Sequence, residues 1–383
     1  MSSRLIVNTI RHNGASSDAV TLASDGTCTA NITNKPNRNL IINGAMQVAQ
    51  RGTSSTSTGV VAVDRVRTYH VSTDEAPTYS QVDVASGTTP YSLGLRKAYR
   101  VTNGNQTSGV AATNQIQLDY LVEAQDLACS GWDHKSPSSF LTLSYWAKSS
   151  VAQEFKAQMR TVDGTPKNFA YSLGSLAANT WTKVTILIPG NSNLQIDNDN
   201  GTGLEIGLFS QWGTNLTANS VSENAWGAYS GSARTPDQTL TWYTTNDATF
   251  EITGVQLEVG SVATDFEHRS FNDEYLKCCR YYQSTTTVPS GSAHNAMAGS
   301  SKGGSAIIQC ANAGFKTLMR TNPTTIIYNG TDSNKVRSSG GGNITLNSPT
   351  IYAMPHGINV ITVSSGLTQD EWYQFNYTCD AEL

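Results

Sequence analysis

The stretch TFEITGVQLEVGSVATDFEHR at residues 249–269 decides the fold of the central part of this chain. Its apolar side chains alternate, first at even positions and, after Gly254, at odd positions, which is the two-residue period of a strand with one buried face. The change of phase predicts a bulge at Gly254, because one extra residue keeps both apolar halves inward and glycine tolerates unusual backbone angles. We therefore predict one long, bulged strand that closes a sandwich and ends in a polar exit at 265–269.

Short strand patterns, separated by clusters of Gly, Asn, Asp and Pro, fill the chain from Asn39 to residue 268. Residues 140–146 (FLTLSYW) are apolar on both faces, as expected of a central strand, and apolar residues alternate at 184–188. Further strands are predicted near Val101 and at 116–120, 155–159, 204–209 and 240–243. This spacing, with almost no helical periodicity, is typical of an all-β sandwich or jelly roll, which we assign to residues 39–269.

Residues 1–38 form a segment of their own. LIVNTI predicts one short strand with Leu5, Val7 and Ile10 among its apolar residues, and AVTLASDGTCTANIT predicts two more around the Asp-Gly turn at 25–26. The segment is too short and too polar to fold alone. We expect a β docking segment that inserts into a neighbouring protein or winds with two copies of itself, and the alternative is a mobile tail.

The chain continues with SFNDEYLKCCRYYQ at 270–283, which predicts a short helix capped by Ser270 or Asn272, with acidic residues first and basic residues last. Residues 284–383 repeat the strand pattern at a smaller scale. Strands are predicted there at 306–310, 324–328, 344–346, 358–363 and 372–379, the last with Tyr373, Phe375, Tyr377 and Cys379 on one face. We assign this region to a second, smaller β-sandwich that the helical linker joins to the first.

Composition and charge restrict the class of protein. Charged residues make up only 14% of the 383 residues, 32 are Gly, and the net charge is −4. These values are typical of an all-β extracellular or virion surface protein, and they favour neither nucleic acid nor a membrane as a partner. No apolar run approaches the ~20 residues that cross a bilayer, and Arg11 follows too soon for a signal peptide. The six cysteines show no paired framework, so we expect a protein made in a reducing cytoplasm and delivered by assembly.

Two long polar connections, at 191–203 and 211–238, interrupt the strand pattern. Loops of this length in a compact β domain usually bind a ligand or meet a partner. The second loop carries Trp212, Trp226 and Tyr229, and flat aromatic rings beside Asn, Gln and Asp provide a surface on which a sugar ring stacks. We predict a glycan-binding platform from these three residues. In the alternative, the two tryptophans plug the open end of the sandwich or lie in a subunit interface.

The stretch ITGVQLEVGSVATDFEHRS at 252–270, paired with NLIINGAMQVAQRG at 39–52, resembles the closing and opening signatures of jelly-roll domains in phage and prophage tail or fibre proteins. Those domains are usually described as similar to carbohydrate-binding modules. FKTLMRTNPTTIIYNG and the ending WYQFNYTCDAEL resemble the terminal domain that follows in phage fibre-like proteins. Where the family often has Asp-Arg-Trp, this chain has Asp64, Arg65 and Val66. The resemblance implies a virion protein, and by analogy a homotrimer.

Asp197 and Asp199 lie in IDNDNGTG, which is rich in the oxygen ligands that calcium prefers. Jelly-roll binding modules often hold a structural calcium, so the resemblance permits one here. The stretch lacks the twelve-residue spacing and the terminal bidentate Glu of a helix-flanked calcium loop, and a solvated turn is the favoured alternative. No other cofactor is expected.

Enzymatic motifs are absent from the sequence. The six histidines form no metal-ligand pair at helical spacing, and the chain has no nucleophile elbow or phosphate-binding glycine loop. Tailspike depolymerases are usually built on long β-helix repeats, and this chain shows no internal repeat. A glycosidase needs two carboxylates across a cleft, which the sequence alone does not place. We expect no enzymatic activity.

Three functions remain. The leading one is a non-enzymatic phage virion fibre, similar to a tail fibre, that attaches to polysaccharide on the host surface through its Trp-bearing loops. The second is a purely structural virion component, such as a capsid decoration, head fibre or tail collar, without glycan affinity. The third and least favoured is a polysaccharide depolymerase.

Overall fold

The computed structural model describes residues 7–15, 18–30, 36–285, 297–301, 306–310 and 314–383. Within these ranges the chain is all-β, as predicted, and the strands of each sheet pair in antiparallel fashion. Three short helices interrupt the strands: α1 (Thr89–Ser92), α2 (Ala124–Ala128) and α3 (Phe271–Cys279). No helix in the same ranges is long and apolar enough to cross a membrane.

The N-terminal sheet has three short strands. They are β1 (Thr9–Ile10), β2 (Val20–Leu22) and β3 (Cys28–Ala30), in the order β1-β2-β3. Their number agrees with the sequence prediction. Ile10 lies opposite Val20, and its side chain is 55% exposed. Val7 precedes β1 and is half-buried, whereas Leu5 lies outside the described residues.

Two sheets form the central sandwich. In chain order its strands are β4 (Ser54–Ser55), β5 (Gly59–Val60), β6 (Val66–Val71), β7 (Thr78–Asp83), β8 (Lys97–Thr102), β9 (Gln115–Glu123), β10 (Phe140–Ser149), β11 (Gln153–Thr161), β12 (Lys167–Leu176), β13 (Thr182–Pro189), β14 (Thr202–Trp212), β15 (Trp226–Ala228) and β16 (Thr249–Val259). The six-stranded sheet has the order β13-β10-β16-β8-β7-β4, and the seven-stranded sheet has the order β15-β12-β11-β14-β9-β6-β5. The predicted jelly-roll sandwich is confirmed.

The inner faces of the two sheets enclose one apolar core. The ring of Phe209 on β14 lies 4.4 Å from that of Phe250 on β16 and 4.9 Å from that of Trp242. Phe155 on β11 lies 4.9 Å from Phe250. All four side chains are completely buried, and burial of one such ring contributes about 2–3 kcal/mol. The contacts between Phe250 and its partners therefore hold the two sheets together.

The predicted bulge in β16 is confirmed. Ser144 of β10 pairs with Gln256, but two residues later Trp146 pairs with Thr253, so β16 contains one extra residue. Gly254 takes a φ of +65° at this point. A Cβ atom there would lie 2.7 Å from the Leu95 side chain, which explains why the position requires glycine.

The bulge joins the two stretches that carry the family resemblance. The Val255 amide donates to the Gly44 carbonyl oxygen over 2.9 Å, and the Val255 carbonyl oxygen accepts from the Asn39 side chain over 3.1 Å. The Asn39 side-chain oxygen accepts from the Leu257 amide over 3.0 Å. Arg269, at the end of the polar exit, donates to the Ile41 carbonyl oxygen over 3.1 Å. The opening and closing stretches are therefore one hydrogen-bonded unit.

Two sequence predictions for the sandwich are wrong. Residues 240–243 form a turn and not a strand. Their apolar character has another cause, because Trp242 and Tyr243 turn inward and fill the end of the core. Gln211 and Trp212 are the last residues of β14 and do not belong to a loop.

Helix α3 leads into the C-terminal sheet. The Ser270 hydroxyl caps the helix by accepting from the Asp273 amide over 3.1 Å, as the sequence predicts. The strands that follow are β17 (Tyr282–Ser284), β18 (Met297–Ser300), β19 (Ile307–Cys310), β20 (Thr324–Asn329), β21 (Asp332–Ser333), β22 (Lys335–Ser338), β23 (Asn343–Thr345), β24 (Thr350–Met354), β25 (Gly357–Thr362) and β26 (Trp372–Asp380). They form one ten-stranded sheet around a second, smaller core. β26 is central, and its predicted inward residues, Tyr373, Phe375, Tyr377 and Cys379, are buried.

Charged side chains join the sandwich to the C-terminal sheet. Arg65, which is 2% exposed, pairs with Glu382, and Arg51 binds Asp380 over 2.9 Å. On the same side, Glu123 accepts from Arg280 over 3.0 Å and from the Tyr281 hydroxyl. Arg65 therefore connects the sandwich to the C-terminal sheet.

Candidate functional site

The outer face of the seven-stranded sheet carries polar side chains from four adjacent strands. Arg67 on β6 lies opposite Asp119 on β9, and Arg160 on β11 lies opposite Glu205 on β14. Because side chains of a strand alternate between faces, their apolar neighbours such as Leu118 point into the core. The strands that build the core therefore also place these four charged groups together on the opposite face.

The four charged side chains form a continuous network. One terminal nitrogen of Arg67 lies 3.1 Å from an Asp119 oxygen and 2.9 Å from a Glu205 oxygen. Arg160 donates to the same Glu205 oxygen over 2.8 Å. Asp119 is 2% exposed and Glu205 is 6% exposed, whereas the arginine side chains are about a third exposed. The buried carboxylates thus hold the two guanidinium groups at the surface.

An amide ladder extends this network along β9. Gln115 donates to the side-chain oxygen of Gln117, whose amide nitrogen donates to Asp119. The indole nitrogen of Trp212 also donates to the Gln117 oxygen, over 2.9 Å. Every polar group in this row has its orientation fixed by its neighbour.

The segment from residue 213 to 238 folds over this face and brings Arg234 onto it. The Arg234 amide donates to the Leu216 carbonyl oxygen over 2.9 Å, and its carbonyl oxygen accepts from the Asn168 side chain over 2.8 Å. The guanidinium carbon lies 5.3 Å from the centre of the Trp212 ring. Backbone hydrogen bonds and the stacked indole therefore position Arg234 from two sides.

The same segment contributes Tyr229. Its amide donates to the Pro166 carbonyl oxygen over 3.2 Å, and the guanidinium carbon of Arg160 lies 4.8 Å from its ring centre. Tyr69, on β6, is 42% exposed. A cavity of about 400 Å³ lies between these parts, and its lining includes Arg67, Tyr69, Gln117, Arg160, Tyr229 and Arg234.

Burial controls the charge of the cavity. It raises the pKa of Asp119 to about 7, and the negative charge of Glu205 acts in the same direction, while Arg67 opposes both. Three guanidinium groups thus face the two carboxylates Asp119 and Glu205. The cavity is positive in a chain whose net charge is −4.

The structure separates the three predicted platform residues. Tyr229 lines the cavity, but Trp212 is 2% exposed and lies beneath Arg234. Trp226 packs against Phe169 with the ring centres 5.2 Å apart, and its indole nitrogen donates to the Pro189 carbonyl oxygen over 2.7 Å. Trp212 is therefore buried, whereas Trp226 and Tyr229 are half-buried, and of the three only Tyr229 lines the cavity.

Asp197 and Asp199 occupy a surface turn. Asp197 accepts from the Gln195 side chain over 3.0 Å, and Asp199 accepts from the Gly201 amide over 2.9 Å. Among the residues that the structure describes, no group of three His, Cys, Asp or Glu side chains could hold a metal ion. Both aspartates are exposed and accept hydrogen bonds within the turn.

Sequence reasoning missed most of the cavity. In QIQLDY at 115–120, the even positions predict a buried face, and the polar residues between them, Gln115, Gln117 and Asp119, form the opposite face. An alternation with acidic and amide side chains on the outer face was the available signal. The pairing of Asp119 with Arg67 depends on strands that are distant in sequence, and no local pattern reveals it.

Comparisons with known proteins give a likeness of fold only. No protein-family model and no curated protein matches the chain. Among solved structures, it is similar to the enzymatically active domain of tailspike protein 4 of bacteriophage CBA120, with 12% identity over 59% of this chain and 22% of that one, and a TM-score of 0.31. It is also similar to the family 11 carbohydrate-binding module of Clostridium thermocellum, with 14% identity over 52% of this chain and 91% of that one, and a TM-score of 0.25. The third is the tripod from the baseplate of bacteriophage Tuc2009, with 13% identity, 65% of each chain covered and a TM-score of 0.27.

Proposed function

We propose that this protein is a non-enzymatic phage virion component, similar to a fibre, that binds glycans of the host surface in the cavity on its seven-stranded sheet. The observation that carries the proposal is the cavity itself, about 400 Å³ in volume, in which Tyr69 and Tyr229 accompany fixed guanidinium and amide groups. Tyrosine rings pack on the apolar face of a sugar, and planar polar groups hydrogen-bond its hydroxyls. The sequence resemblance at 39–52 and 252–270 supports the virion assignment.

The support beneath the cavity favours binding. Because Gln117 is fixed by Gln115 and Trp212, and Arg67 and Arg160 are fixed by Glu205, little side-chain freedom is lost when a ligand arrives. Preorganised polar groups raise affinity by reducing this entropic cost. The volume is at the lower end of the range for small-ligand sites and suits one or two sugar residues.

Among the residues that the structure describes, Glu205 lines the cavity and Asp119 lies beneath it, and this pair of carboxyl groups bears on the enzymatic alternative. Glycoside hydrolysis needs two carboxyl groups that flank the scissile bond and reach its atoms. Here Asp119 is 2% exposed and bound by Gln117 and Arg67, and Glu205 is bound by two arginines. We assign both to support of the arginines. Release of reducing ends from purified host polysaccharide would contradict this assignment.

A glycan array probed with the full chain tests the proposal. We expect binding to at least one bacterial surface glycan and an affinity about tenfold lower for Tyr229→Ala, because a stacked aromatic ring contributes about 1 kcal/mol or more. Tyr352→Ala is the matched control, since Tyr352 is a 53% exposed tyrosine on β24, in the C-terminal sheet and away from the cavity. Equal binding by both variants would exclude the cavity as the binding site. Absence of binding by the unmodified protein would leave the purely structural virion component as the function.

The N-terminal sheet is proposed to assemble the protein into a homotrimer. Ile10, Val20 and Leu22 share one face of this sheet, and Ile10 and Leu22 are 55% and 39% exposed. A two-strand or three-strand sheet of this size needs a partner to bury its apolar face. Light scattering on the full chain and on residues 39–383 tests this proposal. A trimer that becomes a monomer on truncation supports it, and the same number of chains per particle in both proteins would overturn it.

A further inference from the structure

The charges around the cavity are not balanced. Arg67 and Arg160 are paired with Asp119 and Glu205 at distances of 2.8–3.1 Å. Arg234 is different, because no carboxylate of the described residues forms a salt bridge with it. Its Nε donates to the Gly231 carbonyl oxygen over 3.1 Å. One guanidinium group at the cavity thus lacks an anionic partner.

Partial burial of the Arg234 guanidinium group without an anionic partner costs free energy of hydration. The residue is half-buried, with its guanidinium group packed over the indole of Trp212, so it has lost part of its hydration. Its backbone is fixed at both the amide and the carbonyl, so the side chain cannot withdraw as a unit from the cavity. A guanidinium group binds a carboxylate or another oxyanion through two parallel hydrogen bonds, which are stronger than neutral ones.

The paired arginines also need acceptors. The Nε atoms of Arg67 and Arg160 are buried and, within the described part of the chain, have no hydrogen-bond acceptor. Gln158 Oε1 and Asn168 Oδ1, buried on β11 and β12, have no donor within the same described residues, so the imbalance at the cavity is one of charge and not of hydrogen-bond donors. An anionic ligand supplies the missing charge, whereas a neutral sugar does not.

We infer that the cavity selects an anionic sugar residue and that the guanidinium group of Arg234 binds its acidic group. This inference rests on the proposed glycan-binding function. The acidic group is the carboxylate of a uronic acid or the sulfate of a sulfated sugar, because both present the oxygens that a guanidinium group recognises. Arg160 and Tyr229 lie beside the sugar ring, and Arg67 completes the positive side of the cavity.

Isothermal titration calorimetry on the full chain tests the inference with two pairs of polymers. Polygalacturonate is compared with its neutral methyl ester, and dextran sulfate with dextran, at low and at high NaCl concentration. We expect one anionic polymer to bind about tenfold more tightly than its neutral form, with a preference that decreases with salt. The carboxylate and sulfate pairs distinguish the two sources of the charge.

Arg234→Gln is the decisive variant, because glutamine keeps a polar side chain and the backbone hydrogen bonds of the position are unaffected. Arg96→Gln is the matched control: Arg96 is exposed and stacks on Tyr91 at 4.0 Å, in the same way as Arg234 on Trp212, but outside the cavity. We expect Arg234→Gln, with an unchanged melting temperature, to lose the preference for charge and Arg96→Gln to keep it.

Different results would contradict the selection of anions, the role of Arg234 and the proposed function. Equal affinity for charged and neutral polymers would overturn the selection of anions and leave glycan binding in place. Binding of anionic polymers that Arg234→Gln does not weaken would overturn the assignment of this residue. Absence of binding to all four polymers and to the glycan array would overturn both the inference and the proposed function.

Discussion

The guanidinium carbon of Arg65 lies 3.5 Å from the centre of the Tyr281 ring, and the same guanidinium group pairs with Glu382. Arg65 belongs to the sandwich, whereas Tyr281 and Glu382 belong to the two ends of the C-terminal region. Because Arg65 is 2% exposed, this contact is a buried ion pair on which the Tyr281 ring stacks. It fixes how the second sheet is attached.

Removal of Arg65 should therefore weaken the attachment. We expect Arg65→Met to lower the free energy of unfolding by about 3 kcal/mol, because the partly buried charge of Glu382 would keep only Arg51, 3.3 Å away, as a partner. The matched control is Lys97→Met, since the ion pair of Lys97 with Asp83 is largely exposed and contributes at most about 1 kcal/mol. Urea denaturation measures both, and similar losses for the two variants would contradict the role of Arg65.

The bulge in β16 gives a second prediction. Gly254→Ala should lower the free energy of unfolding by about 1–3 kcal/mol, because the position has a positive φ and the new methyl group meets Leu95. Gly227→Ala is the control, since a Cβ atom there meets no atom within 4 Å. Thermal melts of both variants check the expectation, and an equal stability would show that the bulge tolerates a side chain.

The stability that Asp119 and Asp64 contribute should fall as pH rises from about 4 to about 7. Burial raises the pKa of Asp119 to about 7 and that of Asp64 to about 6, from an ordinary value of 3.8. In this window the unfolded chain releases protons that the folded chain retains, so each step up in pH favours unfolding. Asp119→Asn should flatten the dependence of the melting temperature on pH. A profile that matches the unmodified protein would show that Asp119 does not titrate in this range.

Affinity for an anionic glycan should also depend on the protonation of Asp119, and it should fall as pH rises. As pH falls from 8 to 6, Asp119 gains a proton, and one negative charge disappears beneath the cavity. Asp119 faces Arg67 on β6 and Glu205 on β14, with Tyr79 and Tyr171 of the core also nearby. We expect the affinity to rise toward pH 6 in the unmodified protein and to change less in Asp119→Asn. Calorimetry at three pH values measures this, and a stronger binding at pH 8 would contradict it.

The thiols should divide into two groups. Cys28 and Cys129 are exposed, whereas Cys278, Cys279 and Cys379 are buried. Burial raises the pKa of Cys279 to about 11 and that of Cys379 to about 12, which reduces the reactive thiolate form. A disulfide thiol reagent should label Cys28 and Cys129 quickly in the folded protein, and Cys278, Cys279 and Cys379 only in denaturant. Rapid labelling of Cys278 or Cys279, located by mass spectrometry, would show that α3 opens readily.

The sequence predicts the parts of this protein whose signals are local. The alternation on either side of Gly254 identifies β16 and its bulge, and the Ser270 cap identifies α3. The prediction for 240–243 is wrong because an apolar run in a turn and one in a strand look alike when the turn fills the end of a core.

The candidate site depends on contacts between residues that are distant in sequence, which local patterns do not predict. The long connection predicts a role for Tyr229, which lines the cavity, but Trp212 is the last residue of β14 and lies beneath Arg234, 22 positions further along the chain. The cavity depends further on the register of β6 against β9, which sets Arg67 beside Asp119. Long-range pairing of this kind has no counterpart in a local pattern.

The contact of Arg269 with the carbonyl oxygens of Asn39 and Ile41 places the two ends of the sandwich side by side. A unit whose two ends meet can be exchanged as a cassette between chains, because the path of the flanking segments does not change. Such an exchange would replace the cavity and leave the N-terminal sheet and α3 where they are. The incoming unit would have to keep Arg65 and Arg51, which meet Glu382 and Asp380, and Glu123, which meets Arg280. Recombination under this condition would replace the cavity without changing how the second sheet is attached.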